Sequence, residues 1–522
     1  MKWIANINRK AFEDAESKTV FSWFHRSLGL VYLVAFIPLI WEITPLIGQN
    51  GLQSAAELLG KTYSSQGYVA SFLQFPSLYH IYPYNSTLYF IIILGCIASI
   101  SMVMHYQVFF SAVIAWICFL SITSIGGDFF IIIIDLFLAE VGFLSIFSTY
   151  SIQYKNYIPK IIWWVFKLLN FKLWFSMGVI KFYHPAASWT TLTFFDTFFQ
   201  AQPMPTPLAK LFHQCPKSLK ITAIAFLFIG EMLVPFLIFG KKILRWVAVL
   251  TFVLISILIQ LNGNYGYFNV LSIVIAITIF KDSDLRIGSY SEPSHYNSNT
   301  IKVSLFSHII LQVFYVLLLI HPKPFSSQNH FNFIHTYFKT DTPLSYPLKL
   351  ISYWRLCNPY GVFKSIPKYH SELRISGSID GNEWKVYEFK YLPSSQTDYL
   401  GFYAPYYPRL DHLMFYETLS ERNAKYNTLN HFYKTDIPWS CKFIKQLINN
   451  NSASIKLLKT NPFNRDKAPK YIKIELYRLA FSSKKEINWE STKMPFEAIY
   501  TSDSVCSEAI LPYKTAMESV FN

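Results

Sequence analysis

Four ionisable residues set inside apolar runs are the part of this sequence able to do chemistry. Lys181 ends the stretch WVFKLLNFKLWFSMGVIK. Asp135 and Glu140 lie within FFIIIIDLFLAEVGFLSIF, with Asp128 at its mouth, and Glu231 follows Gly230 in a third apolar run. An ionisable group at membrane depth is costly to hold and marks a functional site by default. An amine stripped of water loses part of its preference for the charged form, so Lys181 is a candidate general base. Nearby carboxylates act in the opposite sense and favour the ammonium. The structural alternatives are an ion pair inside a helical bundle, or a lysine whose stem lies along apolar surface while its head reaches the headgroups. Geometry separates these readings. A roomy pocket with no carboxylate within about 4 Å of Lys181 implies chemistry, and a tight ion pair implies scaffolding.

Two polar segments are placed to wall in such a site. A loop opening at His184 and Pro185 carries Trp189, Asp196 and Gln202 into Pro203-Met204-Pro205-Thr206-Pro207, a run stiffened by its prolines. The segment Asn262-Gly263-Asn264-Tyr265-Gly266-Tyr267-Phe268-Asn269 has the composition of a turn. At membrane depth such backbone survives only where protein or trapped water covers it. The expectation is a polar cavity holding Asp128, Asp135, Glu140, Lys181, Glu231, Asn262, Asn264 and Asn269. Asp128 and Asp135 share a helix face and Glu140 turns away from it; Lys172 and Lys181 on the next helix are the candidate partners of these acids. The acids carry no metal-ligand spacing, and HExxH, GxSxG and a glycine-rich phosphate loop are all absent. Neither a metal nor a cofactor is expected.

The elements that must position these residues are membrane helices. The chain has 522 residues, of which 52% are hydrophobic and 15% charged, against about 25% charged in soluble domains. Apolar runs near 28–46, 87–105, 107–124, 129–149, 161–182, 221–239, 243–261, 265–280 and 302–321 approach the roughly 20 residues that a bilayer crossing requires. The third and eighth are short enough to be re-entrant or interfacial. Long apolar runs mean helices and not a barrel, whose strands would alternate.

The net charge of +15 is dispersed along the chain and forms no patch with a nucleic-acid motif. The basic residues fall before the first run and after the fourth (Lys155, Lys160), sixth (Lys241, Lys242, Arg245) and eighth (Lys281, Arg286). With nine spans these loops share one side, which the positive-inside rule makes cytosolic. Lys210, Lys217 and Lys220 run against the pattern. The N-terminal 26 residues read as a cytosolic segment, not a cleaved signal. Residues 27–321 form the transmembrane domain, with a long loop at 183–220.

Past residue 322 the long apolar runs stop and two-residue alternation begins, as in YIKIELYRL. ELRISGSI and WKVYEFKY, joined at Asp380-Gly381-Asn382, read as a hairpin. The expected architecture is an α-helical polytopic membrane bundle followed by a soluble β-rich, sandwich-like domain, 322–522, on the non-cytosolic side and long enough to fold by itself. Of the six cysteines, Cys96 and Cys118 lie inside spans. No CxxC is present, and Cys357, Cys441 and Cys506 leave an odd number on the non-cytosolic side, which Cys215 could make even.

Taken in order, these elements resemble the lipase maturation factor family. The membrane-half landmarks are Leu138–Leu144, Lys167–Phe171 with Gly178–Lys181, and Trp189, Asp196 and Gln202–Pro207. Gly230–Phe236 and Asn262-Gly263-Asn264 with Phe268-Asn269 complete them. In the C-terminal part they are Asn358-Pro359-Tyr360-Gly361, Tyr387-Glu388-Phe389-Lys390-Tyr391, Pro408-Arg409-Leu410-Asp411 and Asn461-Pro462-Phe463. The membrane half is also similar to the helical core of the vitamin K-dependent carboxylase family, whose lysine base falls on Lys181.

The departures are Phe198-Phe199-Gln200-Ala201 where the family has His-Tyr-Glu-Thr, and His412 and Phe415 where tryptophans are usual. The resemblance implies a multi-pass, chaperone-like factor of the secretory pathway that assists assembly of secreted lipases or similar exported clients. Its place would be the endoplasmic reticulum membrane in a eukaryote or the inner membrane in a bacterium. Its partners would be membrane lipid and a lipase-like client, with no nucleic acid. The competing reading is a membrane-embedded enzyme in which Lys181 acts as base toward a quinol-like or lipidic substrate.

Overall fold

The computed structural model describes residues 11–182, 188–287, 306, 308–313, 345–363, 366–393, 400–418, 439–463, 467–483 and 488–502. Among them, six helices are long and apolar enough to cross a membrane: α1 (Lys18–Phe36), α2 (Asn85–Met104), α3 (Val108–Ile125), α4 (Ile133–Lys155), α6 (Lys217–Leu237) and α7 (Lys242–Asn262). Between α4 and α6 runs α5 (Lys160–Ile180), equal to them in length but carrying Lys160, Lys167 and Lys172. The shorter apolar helix α8 (Phe268–Ile279) follows α7. Of the expected ninth span, only 306 and 308–313 fall among the described residues, and these are helical.

Two boundaries differ from expectation. The first candidate span starts at Lys18, inside the segment read as a 26-residue cytosolic tail, and it stops at Phe36 just before Pro38. Its charged first turns hide it from a hydropathy reading. What holds it is Asp282, whose carboxylate accepts the Thr19 and Val20 N–H groups, both at 2.9 Å, and so satisfies two of the orphan donors of a helix N-terminus. The region 183–220 is not one long loop either. It contains the helices Phe194–Ala201 and Pro207–His213, and α6 begins within it at Lys217. Phe194, Phe195, Phe198 and Phe199 give the first of these an apolar stripe that packs with Trp189, Ala209 and Ile224. Pro207 starts the second, where proline costs no hydrogen bond.

The helices sort the chain into two ends. At one, Lys160 meets Glu13 at 2.6 Å, Lys281 meets Glu16 at 3.5 Å and Arg245 meets Asp284 at 2.6 Å. The basic loops after α4, α7's start and α8's end are thereby gathered together with the start of α1. The C-terminal region sits at the other end, against the α3–α4 connection and the α7–α8 turn.

That region is built on antiparallel strands. Its four-stranded sheet has the order β2-β1-β5-β6, from β1 (His370–Ser378), β2 (Lys385–Val386), β5 (Tyr471–Phe481) and β6 (Trp489–Tyr500). A two-stranded sheet pairs β3 (Glu388–Phe389) with β4 (Leu458–Thr460). The expected hairpin is present: Ser376 faces Val386 across a turn in which Gly381 takes φ +82°, a conformation that glycine reaches without strain. Asp380 braces the turn by accepting from the Asn382 and Glu383 N–H groups at 2.9 and 3.0 Å. Helices α9 (Arg409–Glu417) and α10 (Trp439–Ile448) lie between the sheet and the bundle.

One continuous set of buried apolar side chains runs from α1 through the bundle into β5. Tyr360 packs edge-on against Phe137 at 5.2 Å and Trp439 against Phe129 at 5.4 Å. A domain of this length has enough residues to own a core, yet here the core is shared. A fragment starting at residue 345 is therefore expected to show no cooperative thermal transition by circular dichroism, against the independent folding expected from length alone.

Candidate functional site

Asp135 stands in the first turn of α4 and is fully buried. Its partner is Arg409, which opens α9 directly after Pro408. The guanidinium meets both carboxylate oxygens, Nη1 to Oδ2 at 2.7 Å and Nη2 to Oδ1 at 2.9 Å, the paired geometry that makes arginine–carboxylate contacts strong. Tyr267, from the turn before α8, donates its hydroxyl to Asp135 Oδ1 at 2.6 Å, and Arg409 also reaches the Phe129 carbonyl at 2.7 Å. Burial works against the Arg409 charge, but Asp135 outweighs it and holds the guanidinium above the usual arginine range. Two residues on, burial pushes the Asp411 carboxyl up to about 7, although it accepts the Tyr391 N–H at 2.8 Å.

Glu140, a turn and a half further along α4, collects five donors. Lys172 of α5 and Gln312 reach Oε1 at 2.6 and 2.7 Å. Asn358 reaches Oε2 with its backbone N–H at 2.7 Å and its side-chain amide at 3.4 Å, and the Tyr360 hydroxyl does so at 2.6 Å. The donor atoms of Glu140, His308 and Cys357 converge within 4.8 Å of one another, which invites a metal. The cation already among them is the Lys172 ammonium, 2.6 Å from Glu140 and 3.4 Å from Cys357 Sγ. His308 and Gln312 were not singled out from sequence; no motif marks them.

Lys181 is also buried, and its partner is Glu231 on α6. A wider π turn at Ile229–Leu233 aims Glu231 toward α5. Gly178 permits the approach, since a methyl group there would lie 2.6 Å from Met232 Cγ and 3.1 Å from Glu231 Cβ. Lys181 donates as well to the Met177 carbonyl at 3.1 Å and lies 5.0 Å from the Trp189 ring. Trp189 stacks on Phe194 at 3.8 Å and donates its indole N–H to the Phe363 carbonyl at 2.8 Å.

The asparagine turn faces the C-terminal region. Asn264 donates to the Gly401 carbonyl at 2.9 Å and accepts from the Tyr403 and Ala404 N–H groups at 2.9 and 3.1 Å. Gln202 ties this turn to the proline run: it donates to the Asn262 carbonyl at 3.1 Å and accepts the Tyr265 hydroxyl at 2.5 Å. Its own carbonyl accepts from His370 Nδ1 at 3.0 Å. Pro203 and Pro205 hold the run extended, and Pro205 bridges to Gly263.

The eight residues expected in one cavity are thus spread over separate sites. Lys181 joins Glu231, Asp135 joins Arg409 and Glu140 joins Lys172. Asp128 accepts from Gln53 at 2.8 Å and Asn269 donates to Gln260 at 2.7 Å. Asp196 lies 3.8 Å from Lys220 with much of its side chain exposed. The remaining C-terminal motif residues pack within their own region: Tyr387 on Phe463 at 5.7 Å, Glu388 with Lys459 at 3.3 Å. Asn461 turns the chain around Pro462 by accepting the Phe463 N–H at 3.2 Å, and Phe389 packs near Phe443. Chemically, the arrangement fastens. Asn358, Tyr360 and Arg409 reach into the bundle and neutralise or satisfy carboxylates that lipid could not accommodate.

Two family descriptions match the chain: lipase maturation factor transmembrane domain over residues 19–287, and lipase maturation factor C-terminal domain over residues 356–494. Over 492 residues it is 26% identical to lipase maturation factor 1 of Mus musculus, covering 88% of this chain and 81% of that one. Over 501 residues it is 25% identical to lipase maturation factor 1 of Homo sapiens, covering 88% and 82%. It is 23% identical over 580 residues to lipase maturation factor 2 of Xenopus tropicalis, covering 90% and 79%. No solved structure matches the chain.

Proposed function

The chain belongs to the lipase maturation factor family, and from that premise we propose that it is a multi-pass, chaperone-like membrane factor that assists the folding and assembly of exported lipase-like clients. The observation that carries the non-enzymatic form of this reading is the buried Lys181–Glu231 pair. The Glu231 carboxylate occupies the position beside the amine that a substrate would need, so the pair fastens α5 to α6. The C-terminal region would face the lumen of the endoplasmic reticulum in a eukaryote or the periplasm in a bacterium. Supporting this, it sits at the end of the bundle opposite the gathered basic loops, and Cys441 is disulfide-bonded, which suits an oxidising compartment. Cys215 and Cys357 are free thiols. Phe402, Tyr403, Tyr406 and Tyr407 offer aromatic contact area to a client; Phe402 is 55% exposed while Tyr407 is buried, so Phe402 is the residue a client would touch.

The test separates a scaffold from a base. Lys181→Met leaves Glu231 without its counter-charge and should cost about 3 kcal/mol, within the range for a broken buried pair. Lys181→Met with Glu231→Leu removes both charges and should restore abundance to within about 1 kcal/mol of the parent. In cells lacking their own maturation factor, the double variant should support secretion of an active co-expressed lipase. An abundant, folded double variant with no client output would return Lys181 to the role of base.

A further inference from the structure

Lys167 belongs to none of the fasteners described above. It lies in the second turn of α5 and is 2% exposed, yet among the described residues its ammonium makes neither a hydrogen bond nor an ion pair. It rests 3.6 Å from the centre of the Trp163 ring and 5.3 Å from that of Trp164. The Trp163 indole N–H beside it is buried and has no acceptor. A buried indole donor without an acceptor, beside an ammonium that rests on ring faces alone among the described residues, lacks something negative, because buried polar groups are otherwise paired.

The surrounding charges do not supply it. Arg245 and Lys281 also approach the Trp163 ring, at 5.8 and 5.5 Å. Asp284 is taken up by Arg245 through two bonds of 2.8 and 2.6 Å and by the Lys281 backbone N–H at 2.9 Å. Asp282 is engaged by the first turn of α1, and Glu16 is exposed beside Lys281 at 3.5 Å. Lys242 adds a further positive charge, donating to the Ser283 carbonyl at 3.3 Å. Three cations thus surround one indole, and the acids nearby are already committed.

We propose that Lys167 and the Trp163 N–H bind the phosphate of an anionic phospholipid headgroup in the leaflet at the basic end of the bundle. At 1.5 Å per residue, Lys167 lies about 10 Å in from the start of α5, near the depth at which headgroup phosphates meet the hydrocarbon. Trp164, 42% exposed and stacked on Phe239 at 5.7 Å, offers a flat apolar wall for the glycerol and upper acyl chain. Basic recesses between membrane helices on the cytoplasmic side are suited to such headgroups. The site is independent of the maturation role, since it needs only a chain embedded in a bilayer.

The full chain, in nanodiscs of phosphatidylcholine alone or of equal parts phosphatidylcholine and phosphatidylglycerol, should be released into native mass spectrometry with its bound lipids counted. The parent should retain phosphatidylglycerol over phosphatidylcholine by about tenfold. Lys167→Met should bring that ratio to about one, and Trp163→Phe, which keeps the ring and removes the N–H, should lower it about threefold. The Trp163→Phe arm decides the matter if Lys167→Met fails to fold. Equal retention of the two lipids by the parent, or an unchanged ratio in both variants, would overturn the proposal. So would inorganic phosphate matching the phosphatidylglycerol effect on melting in zwitterionic micelles, which would assign the site to a free anion. The one acid in residues 288–305 is Glu292. Glu292→Gln should leave the ratio as it was; a raised ratio would make that carboxylate the true occupant.

Discussion

Replacing Arg409 with methionine should destabilise the protein by about 3–5 kcal/mol, the cost of leaving a buried carboxylate without its counter-charge. That is a large share of the roughly 5–15 kcal/mol that holds a folded protein together. Among the described residues Asp135 would keep only the Tyr267 hydroxyl, and the Phe129 carbonyl would lose the Arg409 donor. Methionine fills most of the volume, so packing against Phe130, 3.8 Å from the guanidinium, contributes little to the loss. Arg409→Met with Asp135→Asn removes the charge on both sides and should recover more than half of the lost melting temperature. A single variant that melts with the parent would show that the pair contributes nothing.

Glu140→Gln should be of similar size for a different reason. Both carboxylate oxygens accept from several donors, Lys172 and Gln312 on one and Asn358 and Tyr360 on the other. A glutamine must place its NH2 group on one of these sides, so donors there face a donor. The Lys172 ammonium, fully buried, would also lose the Glu140 carboxylate that faces it at 2.6 Å. A cost of about 3–5 kcal/mol follows, read as loss of the folded chain from detergent extracts and a lower melting temperature. Lys172→Met in the same chain should recover part of it. Recovery by added divalent metal in the Glu140→Gln chain would instead mean that the Glu140, His308 and Cys357 cluster holds an ion.

How much of this was legible in the sequence depends on the range of the interaction. Local patterns read well. Apolar runs placed the spans, and Gly381 between two alternating stretches placed the hairpin. Asp135 and Glu140 were recognisable as acids in need of partners, because a carboxylate in an apolar run has no local way to be satisfied. The partners themselves were less accessible. Lys172 could be named because it lies on the adjacent helix, but Arg409 is 274 residues from Asp135, and no periodicity connects them. The same distance effect hid the start of α1, where Asp282 caps from 262 residues away. The single polar cavity failed for a related reason. Buried polar residues close in sequence need not be close in space, and each of these found its own long-range partner. The stretch 183–220 was misread because its prolines signal loop, whereas the phenylalanine stripe at 194–199 supports a helix.

The claim that joins these observations is that the C-terminal region and the bundle form one cooperative unit, fastened by Arg409, Asn358 and Tyr360 reaching into α4. Hydrogen exchange followed by mass spectrometry on the full chain and on Arg409→Met tests it most directly. The account predicts that amides of β1 and β5 and amides of the first half of α4 lose protection together and by a similar factor in the variant. Full protection retained in β1 and β5 while α4 alone loosens would contradict it, and would make the C-terminal region a separate domain resting on the bundle.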